Sequence, residues 1–174
     1  MQHYHLFDTA IGLCGIAWSD DGVTRFRLPD PDRDAAERAF GAKAEPQAPP
    51  PRVAKVIAEA ERYFTGERID FGATDLDLAR VDPFHRAIYD ALRAVGWGEI
   101  VTYGELAKRA GAPGAAQEVG VAMARNPVPL IIPCHRVLAA GGKLGGFSAP
   151  GRTEAKQRML ALEGVFINNQ PRLL

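Results

Sequence analysis

Asn126-Pro127-Val128-Pro129-Leu130-Ile131-Ile132-Pro133-Cys134-His135-Arg136-Val137 is the stretch on which the reading of this chain turns. Two prolines stiffen its entry, a short apolar run buries it, and Pro133 restricts the backbone that leads into Cys134. The cysteine is then flanked by His135 and Arg136. Thiolate is the nucleophilic form of cysteine, and a basic imidazole or a nearby cation favours it. The segment therefore suits an activated thiol. It suits equally an inert cysteine at the end of a buried strand, because unpaired cysteines are among the most buried residues. Residue chemistry alone leaves both readings open.

Working back from that segment, Ala115 to Ala124 is a small-residue stretch that predicts a helix. It comes after the turn Gly111-Ala112-Pro113-Gly114. Before the turn, Thr102-Tyr103-Gly104-Glu105-Leu106-Ala107 has Thr102 three residues ahead of Glu105, the spacing of a capping box, and a short helix should run to Ala110. Two short helices joined by a glycine-containing turn outline a helix-turn-helix, an outline that ordinary helical hairpins share. Further back, Phe84, Ile88, Leu92 and Val95 form a helical stripe ending at Gly96-Trp97-Gly98, and a second unit should begin near Asp82-Pro83.

The first part of the chain reads differently. His5 to Trp18 and Gly22 to Leu28 are apolar-rich runs divided by Ser19-Asp20-Asp21-Gly22, which predicts an antiparallel hairpin. A short helix is expected around Ala35 to Phe40, and Pro46 and Pro49-Pro50-Pro51 break the chain after it. Val53, Val56, Ile57, Ala60 and Phe64 then recur at helical spacing up to Gly66. Asp70 to Leu78 alternates and predicts one more edge strand.

The chain has 174 residues, 47% of them hydrophobic, enough for one large domain or two small ones. Its formal charge is zero, but residues 1–82 hold 10 Lys+Arg against 15 Asp+Glu and residues 83–174 hold 11 against 6. A nucleic-acid partner would thus meet the second half. Two cysteines far apart in sequence fit neither a disulfide framework nor a zinc module, and a reducing cytoplasm is the expected compartment. The N-terminus lacks the pattern of a signal peptide, and no apolar run approaches a membrane span, so no membrane partner is expected.

The Pro-Cys-His-Arg-Val core, with matching residues from about Phe84 through Tyr103 and Asn126 to Gly164, resembles the active-site signature of the O6-alkylguanine-DNA alkyltransferases. These are also called methylated-DNA-protein-cysteine methyltransferases. The resemblance implies an α/β (α+β) fold. Residues 1–80 would form a ribonuclease-H-like domain with a small antiparallel sheet. Residues 81–174 would form a mostly helical, winged-helix-like domain carrying the helix-turn-helix and the alkyl acceptor. It implies a monomer that enters the minor groove of double-stranded DNA and flips an alkylated guanine into a pocket. The transfer would be a single turnover of a methyl or small alkyl group from O6-alkylguanine, with O4-alkylthymine a further substrate, and it would need no cofactor.

By the same resemblance, Cys134 would accept the alkyl group, His135 would relay its proton through water, and Glu163 would orient the imidazole. Asn126 would brace the active-site turn, and Tyr103 would donate its hydroxyl proton toward the leaving guanine. Val137 and Met123 would line the pocket. Gly146, Phe147 and Ser148 would form the loop over the base, with the Ser148 N–H directed at O6. The carbonyls of Cys134 and Val137 would accept the exocyclic amine. Ala115, Ala116, Gln117, Arg125 and Arg136 would face DNA. His3, His5, Cys14 and His85 could be imagined as a zinc set, but their spacing is irregular and no metal is expected.

Two departures bear on function. Where the family usually carries an arginine to fill the gap left by the flipped base, this chain has Gln117, with Glu118 next to it, and an acidic group near phosphates is unfavourable. Phe147 also stands where a tyrosine is common, in a loop that looks longer than usual. These keep open an alternative: an alkyltransferase-like protein that recognises alkylated DNA, or one that reacts with another alkylated substrate, with weakened base flipping.

Overall fold

The computed structural model describes residues 2–141 and 152–167. The chain divides into two compact units, one of residues 1–80 with 127–131, the other of residues 81–126 with 132–174. The class is α+β. Among the described residues no helix is long and apolar enough to cross a membrane.

The first unit is built on a four-stranded sheet in the order β3-β2-β1-β4. Strands β1 (His3–Thr9), β2 (Gly12–Trp18) and β3 (Val23–Asp30) run antiparallel, and β4 (Glu45–Pro46) pairs parallel to β1. The hairpin expected at Ser19 to Gly22 forms between β2 and β3. The run His5 to Trp18, however, is two strands and not one. The chain reverses after Thr9, whose hydroxyl donates to the Gly12 carbonyl at 2.7 Å and accepts from the Ile11 N–H at 3.3 Å. A threonine that bonds its own neighbours offers the backbone a turn in place of a ladder.

The edge strand expected at Asp70 to Leu78 does not form; Leu76 makes a single bridge to Val23. Here again local bonds win, because Asp70 Oδ1 accepts from the Gly72 N–H at 2.8 Å and Asp77 Oδ1 from the Ala79 N–H at 3.1 Å. Helix α1 (Arg33–Gly41) starts on an Asp32 cap, and α2 (Pro51–Tyr63) starts with Pro51 in its first turn, where the missing N–H is harmless. Both bury their apolar stripes, and Phe40, Ala60 and Tyr63 are almost wholly enclosed.

The second unit begins with α3 (Pro83–Arg93), capped by Asp82, whose Oδ1 accepts from the N–H groups of Phe84 and His85 at 3.0 Å. Strand β5 (Val101–Thr102) leads into α4 (Tyr103–Arg109). Thr102 Oγ1 accepts from the Glu105 N–H at 3.1 Å while Glu105 Oε2 accepts from the Thr102 N–H at 3.3 Å, so the predicted capping box is present. Gly111, at φ +81°, ends α4: its N–H reaches the Lys108 carbonyl, and the Ala112 N–H reaches that of Ala107. Only glycine enters that left-handed turn without strain. Helix α5 (Ala116–Ala124) comes next, completing the helix-turn-helix outline. A single 3-10 turn, Cys134–Arg136, runs into β6 (Val137–Leu138), which pairs parallel to β5, and α6 (Arg152–Leu162) closes the described part of the unit.

Candidate active site

Cys134 opens the 3-10 turn, and the backbone around it is closely held. The Cys134 N–H donates to the Ile132 carbonyl at 2.8 Å, the Arg136 N–H donates to that of Pro133 at 2.9 Å, and the Val137 N–H bonds the Cys134 carbonyl. Asn126 Nδ2 donates to the same Ile132 carbonyl at 2.9 Å. That bond closes the Pro127–Ile131 excursion at its neck. Inside the excursion Leu130 sits at φ +77°, a conformation that disfavours a side chain and persists only when the surroundings impose it.

The two residues that follow Cys134 in sequence belong to a buried ionic cluster. Glu163, whose side chain is wholly enclosed, accepts hydrogen bonds from His135 Nε2 at 2.6 Å, Arg136 Nε at 2.9 Å, Arg136 Nη2 at 3.2 Å and the Gly98 N–H at 3.2 Å. The sequence places Glu163 there through the end of α6. Gly164, at φ +79°, and Val165 return their N–H groups to the Ala161 and Leu160 carbonyls, so the carboxylate leaves the helix at a fixed angle.

The cluster dictates the tautomer. A carboxylate only accepts, so His135 Nε2 carries the proton and Nδ1 carries the basic lone pair. Arg136 already balances the Glu163 charge, and burial holds the His135 pKa below its usual value despite that carboxylate, with Arg136 and Lys156 adding to the depression. His135 is thus a neutral base.

The depressed pKa ties stability to pH. With the folded-state value below the usual 6.5, the unfolded chain binds more protons in the interval between the two. The contribution of neutral His135 is complete above about pH 6.5 and is lost as the pH falls toward the folded value. Thermal unfolding from pH 8 to pH 5 should show the melting temperature falling below about 6.5. A His135→Gln variant should lose that part of the slope, and an unchanged slope would contradict the assignment.

Three further groups feel the thiol. Burial first, then the Cys134 charge, raises the Tyr103 phenol above its usual pKa, and the same two causes lead those that push Tyr89 up to about 12. Both phenols keep their protons at neutral pH. Lys156 is buried, which brings its ammonium down to about 8 while the Cys134 charge pulls the other way, and its Nζ donates to the Val137 carbonyl.

Of the expected site residues, Cys134, His135, Glu163, Asn126, Val137 and Met123 lie in this unit with the contacts or burial given, and Tyr103 is the first residue of α4. Gln117 and Arg125 are exposed, and Ala115 and Ala116 are half-buried at the start of α5. Arg136 corrects its expectation. It is not a DNA-facing cation: its guanidinium is buried, bound to Glu163 and to the Val95 carbonyl at 2.7 Å. Gly146, Phe147 and Ser148 lie outside the described residues.

Sequence reasoning overlooked Lys156. The available signal was its spacing: Lys156, Met159, Leu160 and Glu163 fall on one helical face, and a charge on the buried side of a helix is informative.

Comparison with known proteins shows the family. Positions 83–165 match the family described as 6-O-methylguanine DNA methyltransferase, DNA binding domain. A methylated-DNA–protein-cysteine methyltransferase of Mycolicibacterium paratuberculosis is 38% identical over 163 residues, covering 94% of this chain and 93% of that protein. One from Mycobacterium leprae is 42% identical over 167 residues, with the same shares covered. Among solved structures, Mycobacterium tuberculosis OGT in complex with DNA superposes with a TM-score of 0.74 at 35% identity, covering 92% of each chain.

Proposed function

Because the chain belongs to the methylated-DNA–protein-cysteine methyltransferase family, we propose that Cys134 is its alkyl acceptor and that His135, Glu163, Tyr103 and Asn126 serve the transfer. The activity is DNA repair: a methyl or small alkyl group passes from O6-alkylguanine in DNA to the protein's own cysteine, once per molecule. DNA is the partner. The observation that carries the site assignment is the Glu163 cluster, which makes His135, the residue after Cys134, a neutral base.

In this reading the Cys134 proton passes to Nδ1 of His135 through water. The sulfur then attacks the alkyl carbon, a carbon–sulfur bond forms, and the bond from that carbon to guanine O6 breaks with its electron pair left on the base. Tyr103 gives its phenolic proton to the guanine and recovers one from His135, so the thiol proton finally resides on the product base. Its raised pKa fits a donor that is fully protonated before the reaction. The thioether product has no route back to thiol, which limits each molecule to one event. The Cys134 and Val137 carbonyls, read as acceptors for the guanine amine, accept from the Val137 N–H and from Lys156 Nζ, and a carbonyl oxygen has two lone pairs with which to meet more than one donor.

We read the partner more finely as double-stranded DNA bearing alkylated guanine, bound by a monomer in a reducing cytoplasm. Neither cysteine is in a disulfide, which agrees with that compartment. The two-domain reading, 1–80 and 81–174, draws support from the two compact units.

The direct test is to incubate the protein with a duplex carrying O6-methylguanine and measure the intact mass. One methylene should be gained on the peptide that contains Cys134, and an adduct elsewhere would overturn the assignment. Gln117 supplies a second measurement. Exposed at the start of α5, it occupies the place where a plug for the vacated stack is expected, without charge. Gln117→Arg should tighten duplex binding and steepen the salt dependence by roughly one counterion. Unchanged affinity would count against α5 as the inserted helix.

A further inference from the structure

Helix α5 begins without a conventional cap. Its N-cap is Ala115, whose methyl group accepts nothing, whereas α4 has a complete capping box and α3 an aspartate. Such a helix should fray at its first turn, where Gln117 lies. What holds it instead comes from α3. His85, 5% exposed, stands between two carboxylates, with Nε2 3.0 Å from Glu118 Oε1 and Nδ1 3.3 Å from Asp82 Oδ2. One turn further along both helices, the Tyr89 hydroxyl donates to the Ala122 carbonyl at 2.7 Å.

The pairs 85/118 and 89/122 advance by four residues on each helix, so they form two rungs of one ladder. The second rung satisfies one of the last four carbonyls of α5, which have no partner within the helix. The first rung grips the turn that the missing cap leaves unsupported.

Glu118 is also the acidic residue that looks wrong beside DNA. Half-exposed and one residue after Gln117, a loose carboxylate there would sweep the space where phosphates approach and weaken binding. Bound to His85, it is held against α3 and its charge stays put. Asp82 completes the grip from the other side of the ring. Its own carboxyl is kept below the usual range, first by the His85 backbone N–H and then by the His85 and Arg125 charges, so it remains an acceptor.

We infer that His85 is a positioning residue for DNA engagement: by tethering Glu118 it keeps that carboxylate from the phosphates. This rests on the reading that α5 meets DNA.

The test compares the full-length parent with His85→Ala, His85→Gln, Glu118→Ala, the double variant His85→Ala/Glu118→Ala, and Gln117→Ala. Duplex affinity, transfer from an O6-methylguanine duplex and transfer from free O6-benzylguanine are measured for each. His85→Ala should weaken duplex binding by about tenfold, the scale of one hydrogen bond to a charged group, while reaction with the free base changes less than about twofold. His85→Gln, which can still donate to Glu118, should recover most of the loss. The double variant should also recover, because the released carboxylate is gone.

Parental duplex affinity in His85→Ala overturns the inference. So does an equal loss with the free base, or a double variant as weak as the single one. If His85→Ala does not fold, Glu118→Ala reports alone: it should bind duplex at least as well as the parent, and a tenfold loss rejects the proposed placing of charge. Gln117→Ala separates this from the underlying reading. If it leaves duplex binding unchanged, α5 is not the DNA helix and that reading fails; if it weakens binding while the His85 variants do not, only the present inference fails.

Discussion

Cys134→Ala should bind duplex DNA like the parent yet acquire no alkyl group, even after long incubation with an excess of O6-methylguanine duplex. The expected loss is complete because the second thiol of the sequence cannot take over. Cys14, the only other thiol, lies in β2 with no exposed surface, and burial pushes its pKa far up, which keeps it protonated and unreactive. His135 would still hold its base form but would have no thiol to serve. Binding should survive because the residue removed is small, buried in a turn that four backbone or Asn126 hydrogen bonds maintain, and not among the exposed groups of α5. Intact-mass analysis, with gel mobility for binding, reads both properties from one preparation. A residual adduct on Cys14 or on a histidine would reject the acceptor assignment, and joint loss of binding and transfer would make Cys134 a structural residue.

How much of the fold was legible in the sequence depended on whether a signal was local. The capping box at Thr102 and Glu105 requires only residues three apart, and it was readable. So was the β2–β3 hairpin around Asp21-Gly22. The break at Thr9 was not, because nothing in the pattern shows a hydroxyl turning back on its own backbone; the apolar run simply continues through it. The strand expected at Asp70 to Leu78 is absent for a related reason: the pattern shows alternation but not the competing bonds of Asp70 and Asp77 to the nearby backbone.

The site divides along the same line. Cys134 and His135 stand out by being adjacent, whereas the true task of Arg136 depends on Val95 and Glu163, distant in sequence, and a lone arginine beside a nucleophile reads naturally as a phosphate contact. From sequence, His85 suggests only a metal ligand. Its partner Glu118 lies 33 residues away on another helix, a pairing that no spacing rule supplies.

Glu163→Gln offers the sharpest separation between a structural ion pair and a chemical one. The amide is nearly the same size, so packing is preserved, but it must place a donor where the carboxylate had an acceptor. If its NH2 takes the Oε1 position, it faces Arg136 Nε–H and the Gly98 N–H, two donors. If it takes the Oε2 position, it faces Arg136 Nη2 and His135 Nε2. The second arrangement is the better one, because the imidazole can relieve its own conflict by moving its proton from Nε2 to Nδ1. That relief removes the lone pair from the nitrogen that serves the thiol, the failure known from triads in which a carboxylate becomes an amide. The rate of transfer should therefore fall by about 10²–10⁴, the usual worth of a positioned base. Stability should drop as well, since Arg136 stays buried without its counter-charge, by up to about 3–5 kcal/mol. Single-turnover rates measured well below the melting temperature separate the two effects. A folded variant that reacts within threefold of the parent would leave Glu163 as a counter-ion for Arg136 and nothing more. A variant that reacts slowly while binding duplex normally places Glu163 in the chemistry through the ring it orients.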